Sequence, residues 1–393
     1  MNTRNKITAG KTAAALFAAA AVLACALPAA AGGPGSAAMQ VLKTEMSPRA
    51  AGMGGAFVAV VDDVYSVAYN PAGLGRLYVP EASAMYHSGF DDSSLNYLAG
   101  ATPLPLIGFA GLSKPGVAFS LMMADAGSFQ YNLIANDGSV LSRNFDAQKD
   151  LVLTAGYGER VYSDEVNLEG FKAAIDQYLG LNVKYVRSTI LEDDSPPSAL
   201  AFDAGWLLTE RNLGLSLGAS ISNYGGGLKY GTETTPLPSI LRLGAAWERP
   251  TVMDQSVLLA AESDFYMNES IKSLRFGLEY HFQRVFNLRL GYKAAEDNKG
   301  MTLGFGLHYS DMSLDFSTGM GNEVYDSSLI AFSYKFSSIT VNEYKKKAYY
   351  KAPRSDRQAP AKAAPAKAAP AKPRAKTAPA PEKKKDSDFF WIY

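Results

Sequence analysis

The chain is poor in the residues that most often perform chemistry or crosslink a fold. Its 393 residues include one cysteine, Cys25, three histidines and three tryptophans. One cysteine cannot form a disulfide framework, and no Cys/His spacing predicts a zinc site. Beyond the first 31 residues no run of 18 apolar residues occurs, so no transmembrane helix is predicted there.

Net charge is also absent, because 38 basic side chains balance 38 acidic ones. The balance hides an uneven distribution along the chain. From Ser337 onward there are 14 basic and 5 acidic side chains, whereas residues 32–336 contain 21 basic and 33 acidic ones. The acidic body argues against nucleic acid as a partner, and only the basic C-terminal stretch could bind an anionic polymer.

The N-terminus has the form of a secretory signal peptide. Arg4, Lys6 and Lys11 provide a positive start, and residues 13–27 form an apolar core. The small residues 28–31 then offer a cleavage site. This segment contains the single cysteine, so we expect an exported mature chain without thiol chemistry.

Strict alternation of apolar with small or polar residues predicts β-strands. It occurs in 213–222, 274–283, 286–293 and 303–310, and a helix would not keep a period of two for so long. The non-apolar parity is rich in Gly and Ser, whereas the outer face of a soluble sandwich would carry more Lys, Glu and Thr. The pattern therefore favours a membrane barrel, apolar toward lipid and mixed toward its lumen.

Runs bounded by turn signals give about fourteen strands, an even number as expected for a single-chain bacterial barrel. We predict them at 80–90, 94–104, 115–126, 147–162, 173–192, 198–210, 212–224, 238–249, 254–267, 270–283, 285–296, 299–310, 311–320 and 326–336. The polar, turn-rich segments 127–146 and 191–199 are the predicted long extracellular excursions. The last strand carries Phe332, Tyr334 and Phe336 at two-residue spacing, which resembles the signal read by barrel assembly machinery.

Residues 47–75 form the most distinctive segment of the chain. It begins Ser47-Pro48-Arg49, continues through small residues, passes the pair Asp62-Asp63 and ends at 70–75, NPAGLG. In this pattern it resembles the N-terminal signature of the PorV/PorQ family and, more distantly, of FadL-type outer-membrane transporters. That resemblance implies a fourteen-stranded barrel with this segment as a plug in the lumen. The motif residues are Ser47, Pro48, Arg49, Gly52, Gly54, Gly55, Asp62, Asp63, Asn70, Pro71, Ala72, Gly73 and Leu74.

The resemblance leaves two functions open, and neither requires an enzyme or a cofactor. A PorV/PorQ-like barrel takes part in type IX protein secretion or surface attachment, with exported cargo or secretion components as partners. A FadL-like barrel conducts hydrophobic small molecules or fatty acids: its plug moves, and a gap in the wall releases the ligand into the membrane. The start at Ser47 and the spacing from Gly54 to Asn70 look more like PorV/PorQ. A third possibility is a tethered barrel that recruits a periplasmic partner.

The stretch 337–393 has the composition of a disordered periplasmic tail. Lys345-Lys346-Lys347 opens it, and Pro-Ala-Lys units repeat through 359–380. Such a sequence cannot bury a core and should be extended. The chain then ends in an aromatic cluster, a candidate docking peptide for a periplasmic partner or the cell wall, formed by Phe389, Phe390, Trp391 and Tyr393.

Three patterns that suggest chemistry have structural interpretations. Ser216 lies in a G-x-S-x-G pattern, but the alternation around it is unbroken and a nucleophile elbow needs a strained turn. His281 and His308 fall on inward positions, where we expect them to form hydrogen bonds in the lumen. The pair Asp62-Asp63 supplies too few oxygens for calcium. We expect these carboxylates to cap a plug turn or to pair with lumen cations, the candidates being Arg242, Arg275 and Arg289.

Together these features predict an all-β protein with an approximately 14-stranded antiparallel transmembrane barrel, a plug and a disordered tail. The expected organisation is a signal peptide at 1–31, a plug segment at 32–79, the barrel at 80–336 and the tail at 337–393. The expected location is the outer membrane, with outer-membrane lipid as the surrounding partner and without a metal ion or other cofactor.

Overall fold

The computed structural model describes most of the chain between Gly32 and Ser337. The described residues are 32–33, 35–89, 92–134, 136–168, 171–191, 195–250, 254–269, 271–283, 285–294, 299–321 and 327–337. The predicted signal peptide lies outside them, as do nearly all of the predicted tail and its aromatic cluster.

Alternating apolar and polar residues form extended strands through most of this region. The strands are β1 Glu81–Ser88, β2 Ser94–Pro103, β3 Gly116–Asp125, β4 Ser128–Ile134, β5 Val140–Asp146, β6 Gln148–Leu168, β7 Phe171–Ile190, β8 Ser198–Glu210, β9 Leu215–Gly225, β10 Gly227–Tyr230, β11 Glu233–Pro236, β12 Ile240–Pro250, β13 Ser256–Tyr266, β14 Ile271–Phe282, β15 Phe286–Ala294, β16 Gly300–Tyr309, β17 Met312–Gly321 and β18 Ser328–Lys335.

Fourteen of these strands close into one antiparallel barrel, and β4–β5 and β10–β11 form two separate hairpins. Closure comes from β1 and β18, which pair along their full length from Glu81↔Lys335 to Ser88↔Ser328. The closed barrel has no free sheet edge along its wall. The predicted fold class is confirmed.

The segment 127–146, predicted as a polar excursion, contains the regular hairpin β4–β5. That prediction missed the strands because Gly127, Asp137 and Gly138 read as turn signals around short apolar runs. Of the other predicted excursion, 191–199, residues 192–194 are outside the described part, and β8 begins at Ser198.

The two side-chain parities separate as the sequence predicts. On β14, Leu274, Phe276 and Leu278 are 37–44% exposed, whereas Arg275 and Glu279 are 4% and 0% exposed. The outer face of the wall is therefore apolar, and charged side chains point into the lumen. This is the arrangement of a barrel whose solvent on the outside is lipid.

The barrel has two distinguishable ends. β1 begins and β18 ends at the same one, which we call the terminus end. The opposite end, which we call the loop end, carries the β4–β5 and β10–β11 hairpins. At the loop end Leu228, in β10, and Leu237, directly after β11, are 0% and 1% exposed. This hairpin therefore covers part of the lumen.

The segment before β1 fills the lumen, and we call residues 35–79 the plug. It contains a 3-10 helix at Gln40–Lys43, α1 at Pro48–Gly52, α2 at Ser66–Tyr69 and a second 3-10 helix at Pro71–Arg76. The Ser47 and Asn70 side chains cap two of these helices by accepting hydrogen bonds from the amides of Ala50 and Ala72. No helix in the described residues is long and apolar enough to cross a membrane.

Glycines on the inner face of the wall let the plug backbone approach closely. A Cβ on Gly218 would lie 2.2 Å from the carbonyl oxygen of Val58, and one on Gly180 would lie 2.2 Å from the carbonyl carbon of Pro71. The plug has the same property at Gly54, where φ is +68° and a Cβ would lie 2.9 Å from the oxygen of Phe276. The glycines that the sequence places on the inner face of the wall are thus points where the backbones of wall and plug touch.

Candidate functional site

Arg49 on α1 is the centre of the polar contacts that hold the plug. Its Nη1 lies 2.6 Å from Asp62 Oδ1 and 3.3 Å from Asp63 Oδ2, both within the plug. Its Nη2 lies 2.9 Å from Glu279 Oε2 on the wall, and its Nε donates to the same carboxylate at 3.1 Å. One guanidinium therefore folds the plug on itself and fastens it to β14.

The network of ion pairs around Arg49 continues along the wall of the barrel. Glu279 Oε1 accepts a 2.7 Å hydrogen bond from Arg289 Nε, and Arg289 Nη1 lies 2.6 Å from Asp315 Oδ1. Glu279 is completely buried, and Arg289 is 2% exposed. We refer to the six residues that form this network as the Arg49 clamp: Arg49, Asp62, Asp63, Glu279, Arg289 and Asp315.

The expectation that the acidic pair meets Arg242, Arg275 or Arg289 is wrong. Its partner is Arg49, which lies 13 and 14 residues away in the same segment. The three wall arginines pair with other carboxylates, among them Asp264, Glu45 and Glu279. The alternative role as a turn cap is present, because Asp63 Oδ1 accepts a 2.9 Å hydrogen bond from the Tyr65 amide.

A second network fastens the plug nearer the loop end. Glu45 Oε1 lies 2.9 Å from Arg275 Nη1, and Tyr69 donates a 2.8 Å hydrogen bond to the other Glu45 oxygen. On β13, Glu262 accepts hydrogen bonds from the backbone amides of Phe57 and Val58, each at 2.7 Å. Closer to the loop end, Lys43 pairs with Glu269 in the β13–β14 turn.

These environments shift the pKa values of the plug carboxylates in different directions. Burial raises the pKa of Asp62, but the positive charges of Arg49 and Arg76 outweigh burial and bring it down to about 2. The pKa of Asp63 is raised, because burial and the neighbouring Asp62 carboxylate oppose its ionisation more than Arg49 favours it. Burial also raises the pKa of Glu45, but Arg275 and Lys293 outweigh it and hold the pKa below its ordinary value.

The plug meets β2, β3 and β6 very differently. Leu42, Met46 and Ala68 of the plug face Tyr97, Met122 and Val152 of the wall around a cavity of about 40 Å³. Polar residues line the rest of the cavity: Lys43, Thr44, Glu45, Tyr69, Thr154, Lys184 and Arg242. Within the described residues no ion pair joins the plug to β2, β3 or β6. We call the contact between these six apolar residues the apolar seam.

A larger chamber of about 620 Å³ lies below the plug at the terminus end. We call it the vestibule. Charged side chains of plug and wall line much of it, among them Arg49, Asp62, Arg76, Glu210, Glu248 and Lys335. The plug therefore borders a charged chamber at the terminus end and, at the seam, a cavity with room for little more than a water molecule.

The sequence-predicted motif residues gather in the plug, but the two histidines and Ser216 form no catalytic arrangement. His281 Nδ1 lies 2.7 Å from Asn287 Oδ1, and Asn287 Nδ2 lies 3.2 Å from His308 Nδ1. Neither imidazole hydrogen-bonds to a serine in the described part of the chain. The described part of the chain also contains no cluster of three or more His, Cys, Asp or Glu side chains placed to hold a metal ion.

The aromatic positions of the last strand lie at the terminus end. Phe332 is 48% exposed on the outer face, and the rings of Tyr334 and Phe336 meet edge to face with centroids 4.8 Å apart. The Phe336 amide donates a 2.9 Å hydrogen bond to the Pro80 carbonyl, which joins the end of the barrel to its beginning. Their recognition by assembly machinery remains a prediction.

Sequence reasoning missed the wall carboxylates that hold the plug. Glu262 and Glu279 fall on inward positions of alternating runs, so parity alone signals that they enter the lumen. Their partners, the Val58 amide and Arg49, lie more than 200 residues away, and no local pattern pairs them. Glu45 was missed because it precedes segment 47–75, and Tyr69 was missed because it lies in that segment without being one of the motif residues.

Comparison with known proteins finds no matching family model and no matching curated protein. Among solved structures, the toluene transporter TbuX of Ralstonia pickettii has a TM-score of 0.49 at 14% identity, covering 74% of this chain and 98% of its own. The toluene transporter TodX of Pseudomonas putida gives 0.45 at 13% identity, with 74% and 97% covered. Outer membrane protein Omp33 of Acinetobacter baumannii gives 0.38 at 4% identity, with 66% and 98% covered. The fold assignment rests on the closed barrel described above.

Proposed function

We propose that the protein is a plug-gated, FadL-like outer-membrane channel for small hydrophobic molecules. One observation carries the proposal: the plug is fastened by ion pairs to β14 and meets β2, β3 and β6 through the apolar seam. A plug that ion pairs hold on one side opens along the side where the described residues form no such pairs. The route past it is then lined by apolar side chains.

In this proposal the described conformation is the closed state of the channel. The cavity of about 40 Å³ at the seam is too small for any organic substrate. An apolar solute would gain contacts with the six side chains of the seam, whereas a polar solute would find hydrogen-bond partners only among the polar residues that line the rest of the cavity. The seam therefore favours hydrophobic molecules such as fatty acids or monoaromatic compounds.

The route we propose runs along the plug. The ladders that join β1, β2, β3 and β6 continue without a shift of register. The irregularities lie in β6–β7 after Arg160 and in β8–β9 after Phe202. A gap in the wall of the kind FadL-type relatives use is thus absent from the described ladders β1–β2, β2–β3 and β3–β6. Widening of the seam is the step that admits substrate.

Substitutions on both faces of one strand test this proposal. Val152→Trp fills the seam and should reduce uptake of a fluorescent fatty acid or of toluene in cells with this protein as the only route. Met122→Ala widens the seam and should increase uptake. Leu153→Trp, on the lipid-facing side of the same strand, is the matched control and should leave uptake unchanged.

Opposite effects of the two seam variants cannot come from misfolding, since damage to the barrel would not raise uptake selectively. Unchanged uptake in both variants, or equal losses in Val152→Trp and Leu153→Trp, would contradict the seam as the route. A lipid or fatty acid that co-purifies in the lumen would give independent support.

A second candidate is the PorV/PorQ-like role in secretion or surface attachment. The observation that favours it is the position of Lys335 and Ser337 at the terminus end, where a basic stretch of more than 50 residues follows. If the predicted signal peptide is cleaved and the terminus end faces the periplasm, this basic stretch could recruit a secretion component or bind the cell wall. Truncation after Ser337 should then abolish periplasmic crosslinks and lower surface levels of cargo. A genome without type IX components would exclude this candidate.

A further inference from the structure

The β4–β5 hairpin continues the wall of the barrel beyond the loop end. Pairing between β3 and β6 runs from Gly116↔Gly158 to Asp125↔Lys149, and β4 and β5 resume in the same register at Ser128↔Asp146. Two backbone hydrogen bonds bridge the junction, Ala126 N to Gln148 O at 2.9 Å and Ala147 N to Gly127 O at 2.8 Å. Odd-numbered residues therefore share one face from the barrel wall to the hairpin tip.

That face of the hairpin is apolar, and the other is polar for most of its length. Tyr131, Leu133 and Leu141 are 49%, 51% and 61% exposed. Phe129 and Phe145 stack across the strands with centroids 5.9 Å apart, and the guanidinium carbon of Arg143 lies 4.8 Å above the Phe145 ring. The opposite face carries five amide or hydroxyl residues, Ser128, Gln130, Asn132, Ser142 and Asn144.

The apolar face of the hairpin is continuous with the lipid-facing side of the wall. On β3 and β6 the odd-numbered residues Phe119 and Leu153 are 67% and 46% exposed on the outside of the barrel. Asp125 and Lys149 then form a short polar step, after which the apolar residues return at Phe129 and Phe145. A polar step between two apolar regions matches the headgroup layer between barrel wall and membrane surface.

The junction contains a glycine that allows the hairpin to bend. Gly127 has φ of +84°, a backbone conformation that residues with a Cβ rarely adopt. Ala126 and Ala147 flank it with small side chains, so little bulk opposes a bend. Tyr131 and Arg143 have apolar bodies and polar ends, the type of side chain that lies at a lipid–water boundary.

We propose that the apolar face of the β4–β5 hairpin lies on the outer-leaflet lipid and anchors the loop end of the barrel to the membrane surface. The occupant is lipid because the face extends the lipid-facing wall in register. This surface is independent of the apolar seam and of the route past the plug, so the two proposals succeed or fail separately.

Nitroxide labels on adjacent residues test the proposal. The chain's single cysteine is in the predicted signal peptide, so Leu133→Cys and Asn132→Cys each give one label site on opposite faces of β4. The proteins are reconstituted in vesicles of phosphatidylcholine and phosphatidylglycerol, and label relaxation by oxygen and by a water-soluble nickel chelate is measured. The unsubstituted protein, labelled in parallel, reports any background.

Oxygen concentrates in lipid and the nickel chelate stays in water. The label at 133 should be accessible to oxygen and several-fold less accessible to nickel than the label at 132. Leu141→Cys and Ser142→Cys repeat the comparison on β5, should a β4 variant fail to fold. Equal nickel accessibility on both faces would overturn the proposal. Low accessibility of the label at 133 to both reagents would also overturn it, since that result indicates a protein partner or a second copy on the hairpin.

Discussion

The two sides of the lumen hold the same plug by different physical means. On the side of β13, β14 and β15, buried charges and hydrogen bonds fix the plug at defined atoms, with Glu279 shared by Arg49 and Arg289. On the side of β2, β3 and β6, apolar side chains meet without an ion pair in the described residues. Ion pairs and hydrogen bonds have strict geometry, whereas apolar contacts can slide and re-form. Under the proposed function, the ion-paired side is the hinge and the side of β2, β3 and β6 is the one that opens.

Removal of the plug should have the largest effect. Deletion of 47–75 takes away the three plug residues of the clamp and, from the seam, Ala68, and none of the wall ladders contains a residue of this segment. We expect a folded barrel with a much larger single-channel conductance in planar bilayers. Conductance equal to that of the intact protein, from a barrel with normal heat-modifiable migration, would show that the plug does not block the lumen.

Breaking the Arg49 clamp should have the second largest effect. Glu279→Ala leaves Arg49 and Arg289 partly unpaired in the lumen, and removal of one partner from a buried pair typically costs about 3–5 kcal/mol. We expect faster proteolysis within the plug and more frequent channel opening. Glu233→Ala, on the exposed β11 hairpin, is the control and should change neither. A clamp variant with wild-type protease resistance would contradict the role of the ion pairs.

A bulkier side chain at a backbone contact should have a smaller effect. Gly218→Ala places a Cβ against the Val58 carbonyl, and overpacking of this kind costs about 1–3 kcal/mol. Gly100→Ala adds the same methyl group to β2 where no atom lies within 4 Å. Only the first should lower the thermal unfolding midpoint. Equal midpoints would mean that the plug shifts away from Gly218 without cost.

Mild acid should have the smallest effect. Asp62 and Glu45 have pKa values below their ordinary 3.8 and 4.5, so the stability they contribute is present above those values and is lost as pH falls through the folded-state pKa. Protease protection of the plug should change little from pH 7 to about 5 and decline toward pH 2. The Asp62→Asn variant should show a weaker decline. A sharp loss near neutral pH would point to His281 or His308 instead.

Much of the fold could be predicted because a barrel wall is a local pattern repeated many times. Each predicted barrel strand corresponds to an observed one, with ends that differ mostly by a few residues. The largest differences are in β6 and in the hairpins. β6 continues to Leu168 as a two-stranded extension with β7, and β4–β5 forms between turn signals at Gly127, Asp137 and Gly138. In both places the strands form because they pair with a neighbouring strand, and the local sequence did not predict that pairing.

The candidate site was less predictable. The signature segment pointed to the plug residues, and Arg49 was among them, but its role as the clamp depends on where α1 lies against β14. The same acidic pair could have met Arg289, which is within reach of the same network. In the structure Arg289 pairs with Glu279 and Asp315 on the wall, and Arg49 pairs with the acidic pair.

By itself the sequence determined the alternation of the wall, and with it which side chains face lipid and which face the lumen, because this follows from the geometry of a single extended strand. It also determined that the inner face carries glycines, which leave room for another backbone. Only the tertiary structure decided that ion pairs fasten one side of the plug and apolar contacts line the other. That asymmetry depends on pairs of residues more than 200 positions apart, and only the closed barrel brings them within hydrogen-bonding distance.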